Sequence, residues 1–358
     1  MTDTPRISVV VTTYNRADTL RETLACLARQ DLAPTEFEVV VADDESPDNT
    51  PDVVSELSAT LPIRIRSIRH PNRGPGYTQN RGIEAASAPL VLLIADDIWL
   101  KPQALRAHLE SHDCHPEPEV AVLGRVVQSP RLTDTVFLRM HNPFRFEQFD
   151  GLEWLPGYLF WACNISFKRA FMLTHGMFRE DHGPGGLITH EDAELGHRLG
   201  RRGLRIRYQP AALAEHYHHE TLDHVLNRAY QRGLNFRWLR THASAPEITV
   251  RYHVLGRWTY LADHGHALRQ PGRPGLIGVD RNPLKLVGLY AARAIMFNCL
   301  TVPGLWLPLA RAAERNHKLA RLMRPWMYRG MVNWHFNRGC AEDRAAPPAV
   351  ETRHAAAE

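Results

Sequence analysis

Three short apolar runs rich in β-branched residues, each ending in polar or acidic side chains, constrain this chain more than any other feature. Ile7-Ser-Val-Val-Val11 leads into Thr12-Thr-Tyr-Asn-Arg16, Phe37 to Ala42 into Asp43-Asp-Glu-Ser46, and Leu90 to Ala95 into Asp96-Asp97. A run with no polar face suits a strand buried on both sides, and such strands belong to parallel sheets. Between the first two runs the spacing turns helical. Leu20, Leu24 and Leu27 share a face, and Thr19 with Glu22 forms a capping box, predicting a helix over Asp18 to Arg29. A helix after Pro51, an alternating strand Ile63 to Ile68 and a helix over Tyr77 to Ala86 continue the rhythm. The βαβα order predicts an α/β fold with a doubly wound, mostly parallel sheet.

In such sheets ligands bind beyond the carboxyl ends of the strands, so the three polar clusters are expected along one crevice. Further strands are predicted at Val120 to Val127 and Cys163 to Phe167, the latter followed by two helices, and Leu152 to Tyr217 reads as a second lobe completing the crevice. Thr221 to Arg240 predicts a long helix, whereas Arg251 to Arg281, rich in Gly, Pro, His and Arg, carries no clear pattern. The expected organisation is a domain over 1–240, with halves over 6–118 and 119–240, then a helical, basic and apolar extension over 241–340. The tail over 341–358 is expected to be disordered.

With 358 residues, 44% hydrophobic and 23% charged, the chain can bury a full core without metal or disulfide support. These proportions exclude disordered, collagen-like and disulfide-scaffold classes. The five cysteines are scattered and form no C-x-x-C pair, and the short polar start leaves no room for a secretory signal, so a cytoplasmic location is expected. A net charge of +4, without a helix-turn-helix signature or interleaved aromatics, speaks against nucleic acid as a partner.

Adjacent carboxylates repel, so Asp43-Asp44 and Asp96-Asp97 need cations, hydroxyls or backbone donors nearby. Either pair alone reads as turn formation or helix capping. Sharing one crevice, they read as a nucleotide and divalent-metal site. The segment His190 to Leu199 predicts a helix with Leu195 and Leu199 inward, which turns Glu191 and Asp192 inward and Glu194 and Arg198 outward. A carboxylate near a helix N-terminus is favoured as the ion, the form a general base requires. Gly183-Pro-Gly-Gly186, just before, reads as a lid or a plain connector. If Leu213 to His219 is a strand, His216 and His218 share a face that could present a metal ligand, and with no cysteine nearby a harder ion than zinc is expected. Arg198, Arg201, Arg202, Arg205 and Arg207 read as a phosphate grip or, more simply, a basic helix end and strand.

Taken in order, Val9-Val-Val-Thr-Thr-Tyr-Asn-Arg16, Val41-Ala-Asp-Asp-Glu-Ser46, Asn72-Arg-Gly-Pro75 with Asn80-Arg-Gly82, Ile94-Ala-Asp-Asp97 and His190-Glu-Asp192 resemble the family-2 glycosyltransferases of GT-A fold, over about residues 6 to 240. The resemblance implies a metal-dependent, inverting glycosyltransferase of the hexosyltransferase type. It would move one sugar from a nucleotide-diphosphate donor, with a UDP-sugar favoured, to an acceptor hydroxyl in polysaccharide, glycolipid or other glycoconjugate synthesis. By position, Thr12, Tyr14 and Arg16 would border the base, and Asp43, Asp44 and Asn80 would bind the nucleotide. Asp96 and Asp97 would touch ribose and metal, Mn²⁺ or Mg²⁺, with His216 a further ligand. Asp192, in the family's Glu-Asp pair with Glu191, would be the base, and Trp161 and Asn164 would line the acceptor side. Three departures stand out: Ile94 in place of the first Asp of D-x-D, Gln79 where an Arg often precedes Asn80, and Gly176-Met-Phe-Arg-Glu180 for G-G-F-D-E. The Q-x-x-R-W signature of processive synthases is absent, since Leu234 stands before Arg237-Trp238. A non-catalytic nucleotide-sugar-binding relative and a sugar nucleotidyltransferase are the alternative readings.

Leu286 to Ala310 is largely apolar but interrupted by Arg293, Asn298, Pro303 and Pro308, which favours lying on a membrane over spanning it. With the basic stretch that follows and Trp306, Trp326 and Trp334, it would suit anionic lipid and a lipid-linked glycan acceptor at the cytoplasmic membrane face. Packing on the catalytic domain, or a homodimer interface, is the equal alternative.

Overall fold

The computed structural model describes residues 4–141, 146–180, 191–236 and 283–345. The Gly183–Gly186 loop, His190, Arg237-Trp238 and Arg251–Arg281 lie outside the described residues. The elements follow as β1 (Ile7–Thr13), α1 (Ala17–Ala28), β2 (Phe37–Asp43), α2 (Thr50–Thr60), β3 (Arg64–Arg69), α3 (Pro75–Ala85), β4 (Leu90–Ala95), β5 (Ile98–Leu100) and α4 (Ala104–Cys114). Next come β6 (Val120–Gln128), α5 (Val136–Met140), β7 (Trp154–Leu155), β8 (Ile165–Lys168), α6 (Arg169–His175), α7 (Glu191–Gly200), β9 (Arg205–His216) and α8 (Leu222–Leu234). The chain closes with α9 (Pro283–Met296), α10 (Leu307–Ala313), α11 (His317–Ala320) and α12 (Pro325–Ala345).

The strands form one nine-stranded sheet in the order β3-β2-β1-β4-β8-β6-β9-β5, with β7 also on β9. The first four are parallel, Val9 pairing with Val39 on one side and Leu92 on the other. Every residue of β2 and all but Thr12 of β1 are buried, as strands covered on both faces must be. β8 then runs antiparallel to both β4 and β6, and β9 runs parallel to β6 but antiparallel to β5 and β7. The sheet is therefore mixed, with a doubly wound parallel half.

Two local expectations are corrected. Helix α1 starts at Ala17, whose N–H donates to Asp48 Oδ2 at 3.1 Å, so a loop acid caps the helix. The Thr19/Glu22 box is not used: Thr23 Oγ1 donates to Thr19 O, and Glu22 pairs with Arg29 and Arg131. The tail expected to be disordered from Ala341 begins as helix, because α12 continues to Ala345; 346–358 lie outside the described residues.

The chain divides into two compact units, one holding the sheet and its helices through Glu220 and the other holding α8 to α12. The expected boundary near 240 thus moves to Thr221 among the described residues, because α8 packs on α12. A side chain on Gly233 would meet Phe336 O at 2.1 Å and one on Gly339 would meet Tyr230 O at 2.1 Å, so these two glycines let the helix backbones approach. In the first unit, a Cβ on Gly196 of α7 would meet Gly157 O at 2.1 Å. That contact fixes where α7 presents its first turn.

Candidate functional site

The polar residues after the strands gather around the end of β1. Asp44 N donates to Thr13 O at 3.0 Å and Asp96 N to Thr12 O at 3.1 Å, so the acids after β2 and β4 flank the central strand. The chain turns sharply beyond it, with Asn15 at φ 56, a left-handed conformation that Asn tolerates, its N–H donating to Ser46 Oγ. Tyr14 is left exposed and Arg16 is turned back over the strand ends.

The two acid pairs do different work. Asp43 accepts from Ser46 N at 2.9 Å and faces Arg69 at 3.5 Å. Asp44 accepts from Arg73 N at 2.8 Å and Gly74 N at 2.9 Å, organising the loop that enters α3. Beside that loop the Tyr77 ring lies between the Arg73 and Arg81 guanidiniums, 4.7 and 4.8 Å from its centroid. Asp96 accepts from Thr13 Oγ1 at 2.7 Å and from Arg16 Nη1 at 3.1 Å. Burial and the adjacent Asp97 charge push its carboxyl up to about 6 against those two donors.

Asp97 is buried, which alone would raise its pKa, but His216, His218 and Arg16 outweigh burial and hold its carboxyl well below the usual carboxylate range. Its Oδ2 lies 2.6 Å from Arg16 Nη1, 3.1 Å from His218 Nδ1 and 3.6 Å from His216 Nε2. Strand pairing brings these together: Ile98 of β5 is opposite His216 of β9, and Tyr217 N donates to Asp97 O at 2.8 Å. The His216 and His218 rings stack with centroids 5.3 Å apart, and Tyr217 turns the other way onto Trp99. One ligand atom from each of Asp97, His216 and His218 lies within 4.8 Å of the others, a spacing that suits a single cation. A mixed oxygen and nitrogen set fits Mn²⁺ better than Mg²⁺, which prefers oxygen. Arg16 supplies the positive charge there, its Nη2 also reaching His218 Nδ1 at 3.2 Å.

Asp192 stands in the first turn of α7, where its Oδ2 accepts from Ala162 N at 3.2 Å. In Cys163, the next residue, burial, then the charges of Asp192 and Asp97, push the thiol far up. Glu191 is partly buried beside Asp192. Glu194, expected outward, is instead buried, because Arg198 reaches its carboxylate at 2.9 Å from one turn on and Arg179 faces it at 3.5 Å.

Two expected site residues are engaged elsewhere. Asn164 is fully buried: its Nδ2 donates to Ala212 O at 2.8 Å and its Oδ1 meets His108 Nε2 at 3.0 Å, tying β8 to β9 and α4 rather than lining a surface. Asn80 donates to Phe178 O and Glu180 Oε1 and accepts from Phe178 N, so its amide anchors residues 178–180. Trp161 packs edge-on against Phe146 at 5.1 Å. Ile94 is buried in β4 opposite Val11, and Gln79 is buried with its Oε1 without a partner. Arg205 and Arg207 lie over Trp154, so that part of the arginine run packs on a ring. His218 is the residue the motifs did not single out, and its shared face with His216 was the available signal.

The family model for glycosyl transferase family 2 matches residues 8–172. Over 228 residues the chain is 33% identical to validoxylamine A glucosyltransferase of Streptomyces hygroscopicus subsp. limoneus, covering 56% of this chain and 49% of that protein. It is 26% identical over 270 residues to chondroitin synthase of Escherichia coli, covering 65% of this chain and 38% of that one. The chain thus spans half or less of the length of these relatives. Among solved structures, a mannosyltransferase of Pyrobaculum calidifontis in complex with GDP-Man and Mn²⁺ shares the fold with TM-score 0.58 at 20% identity, covering 95% of this chain and 87% of that one.

Proposed function

The chain belongs to glycosyl transferase family 2, and from that premise we propose that it moves a single sugar, with inversion, from a nucleoside-diphosphate sugar to an acceptor hydroxyl. The observation that carries this reading is the convergence on the end of β1 of Arg16, Asp96, Asp97, His216 and His218, with Asp192 held separately in the first turn of α7 by Ala162 N. Buried acids with paired cations and imidazoles are the chemistry that grips a charged diphosphate and its counter-ion.

Thr12, Tyr14 and Arg16 border the nucleoside in this reading, the exposed Tyr14 ring offering a stacking face. Asp44, with Asp43, shapes the loop against which base and ribose rest, and Asp96 takes ribose. Asp97, His216 and His218 would hold Mn²⁺ or Mg²⁺, which supplies the positive charge against which the diphosphate departs. Arg16 is placed to take over phosphate charge once released from Asp97. Asp192, oriented by Ala162 N and flanked by Glu191, accepts the proton of the attacking hydroxyl while Trp161 borders the acceptor. A single in-line displacement inverts the anomeric centre.

The test is incubation with a panel of uridine, guanosine and thymidine diphosphate sugars, Mn²⁺ and hydroxyl acceptors, with products read by mass spectrometry and anomeric configuration by NMR. Transfer with inversion supports the proposal. Nucleotide binding with no turnover across the panel contradicts it and leaves the non-catalytic reading.

A further inference from the structure

Among the described residues, the second unit leaves several large apolar side chains exposed. Leu300 is 79% exposed, Ile295 73%, Leu322 58%, Leu305 52% and Trp326 40%. An aromatic cluster lies in the same stretch of chain: Phe297 and Trp306 stack at 5.3 Å, and Trp326 meets Trp306 edge-on at 5.7 Å. Trp306 Nε1 donates to Met296 O at 2.6 Å and Asn298 Oδ1 accepts from Leu300 N and Thr301 N, so the segment between α9 and α10 is a built tip. Exposed large apolar side chains gathered on one tip mark an interaction surface.

Charge identifies the partner. From 284 to 338 the chain holds nine Lys and Arg against the single acid Glu314. Arg315, Lys318, Arg321 and Arg324 are exposed between α10 and α12, Lys318 within α11, close in sequence to Leu322 and Trp326, and Arg324 folds its guanidinium onto Arg321 O. An acidic protein groove would match the cations but not Leu300 and Ile295. A second copy of this chain would set cations against cations. Anionic headgroups above acyl chains match both, with Trp at the boundary. Among the described residues no helix is long and apolar enough to cross a bilayer.

We propose that the tip over 295–305, together with Leu322 and Trp326, inserts into the headgroup region of an anionic lipid bilayer while the cations of 315–324 pair with its phosphates. This rests on exposed side chains and charge, not on the transferase reading, so vesicle binding and sugar transfer are scored separately.

The experiment is flotation of the full chain with vesicles of phosphatidylcholine alone or with phosphatidylglycerol added. Binding is expected to the anionic vesicles, weakened by salt. The double variant Leu300→Ser/Leu305→Ser, at two exposed positions, should reduce it about tenfold, and Lys318→Glu/Arg321→Glu should remove its dependence on phosphatidylglycerol. Circular dichroism and nucleotide binding check that the variants are folded. Absence of wild-type binding to anionic vesicles overturns the proposal. So does a concentration-dependent dimer that Leu300→Ser/Leu305→Ser dissociates, since the face is then an interface between copies.

Discussion

Arg16 and Asp97 form a tight ion pair, Nη1 to Oδ2 at 2.6 Å, and the same guanidinium also contacts Asp96 and His218. A protein cation thus sits within the set of side chains that suits a metal cation. Arg16 balances charge that Asp96 and Asp97 could not hold buried and unpaired.

Replacing Arg16 with Gln should therefore have opposite effects on two ligands. Mn²⁺ added without nucleotide should bind about tenfold more tightly, because a competing charge within a few ångströms is gone. Nucleoside diphosphate should bind more weakly, having lost a phosphate partner. Calorimetric titration of each ligand checks both arms, and equal weakening of both would show that Arg16 merely supports the fold.

Gly196 sets the position of Asp192. A methyl group there meets Gly157 O at 2.1 Å and Phe160 Cβ at 2.5 Å, so Gly196→Ala must push α7 outward. Loss of about 1 to 3 kcal/mol of stability is expected from the overpacking. Turnover should fall further than stability explains, with donor affinity nearly unchanged, as steady-state kinetics beside nucleotide titration would reveal.

Asn80 anchors residues 178–180 through three hydrogen bonds. Asn80→Ala leaves the buried Phe178 N–H without its acceptor and should cost about 1 to 3 kcal/mol in urea denaturation. Nucleotide affinity should change by less than about threefold if the role is this anchoring alone, since a contact to the ligand would be worth more.

Two buried histidines make the fold acid-sensitive. Burial pushes His108 down to about 4 and His112 down to about 2, from an ordinary value of 6.5. Below 6.5 the unfolded chain binds protons that the folded chain does not, so stability is full above that pH and falls as pH drops. The loss is about 1.4 kcal/mol per pH unit for each histidine. Melting temperature should decline between pH 6.5 and 5, and His108→Gln, which can still donate to Asn164, should reduce that slope by about half.

Much of this was legible from residue pattern, for identifiable reasons. β1, β2 and β4 announce themselves because strands buried on both faces must be apolar throughout, and the acids at their ends follow from chain direction in a parallel sheet. The order β8-β6-β9-β5 was not legible, because pairing across tens of residues leaves no local periodicity. His218 joins Asp97 only through the β5–β9 pairing. Glu194 defied its helical position because Arg198, one turn away, pairs with it where periodicity alone would place a solvated acid. Asn164 is placed on the acceptor side by the family resemblance alone, and its partners here, His108 and Ala212, were not legible because they come from elements far away in sequence.

The central claim is that Asp192 removes the acceptor's proton in a site that binds a nucleotide sugar independently of it. Turnover and donor binding of Asp192→Asn, measured side by side with the unaltered chain, test it most directly. A fall in kcat of about 10² to 10⁴ with donor Kd within about threefold is the predicted result. Undiminished kcat in the variant would contradict the account.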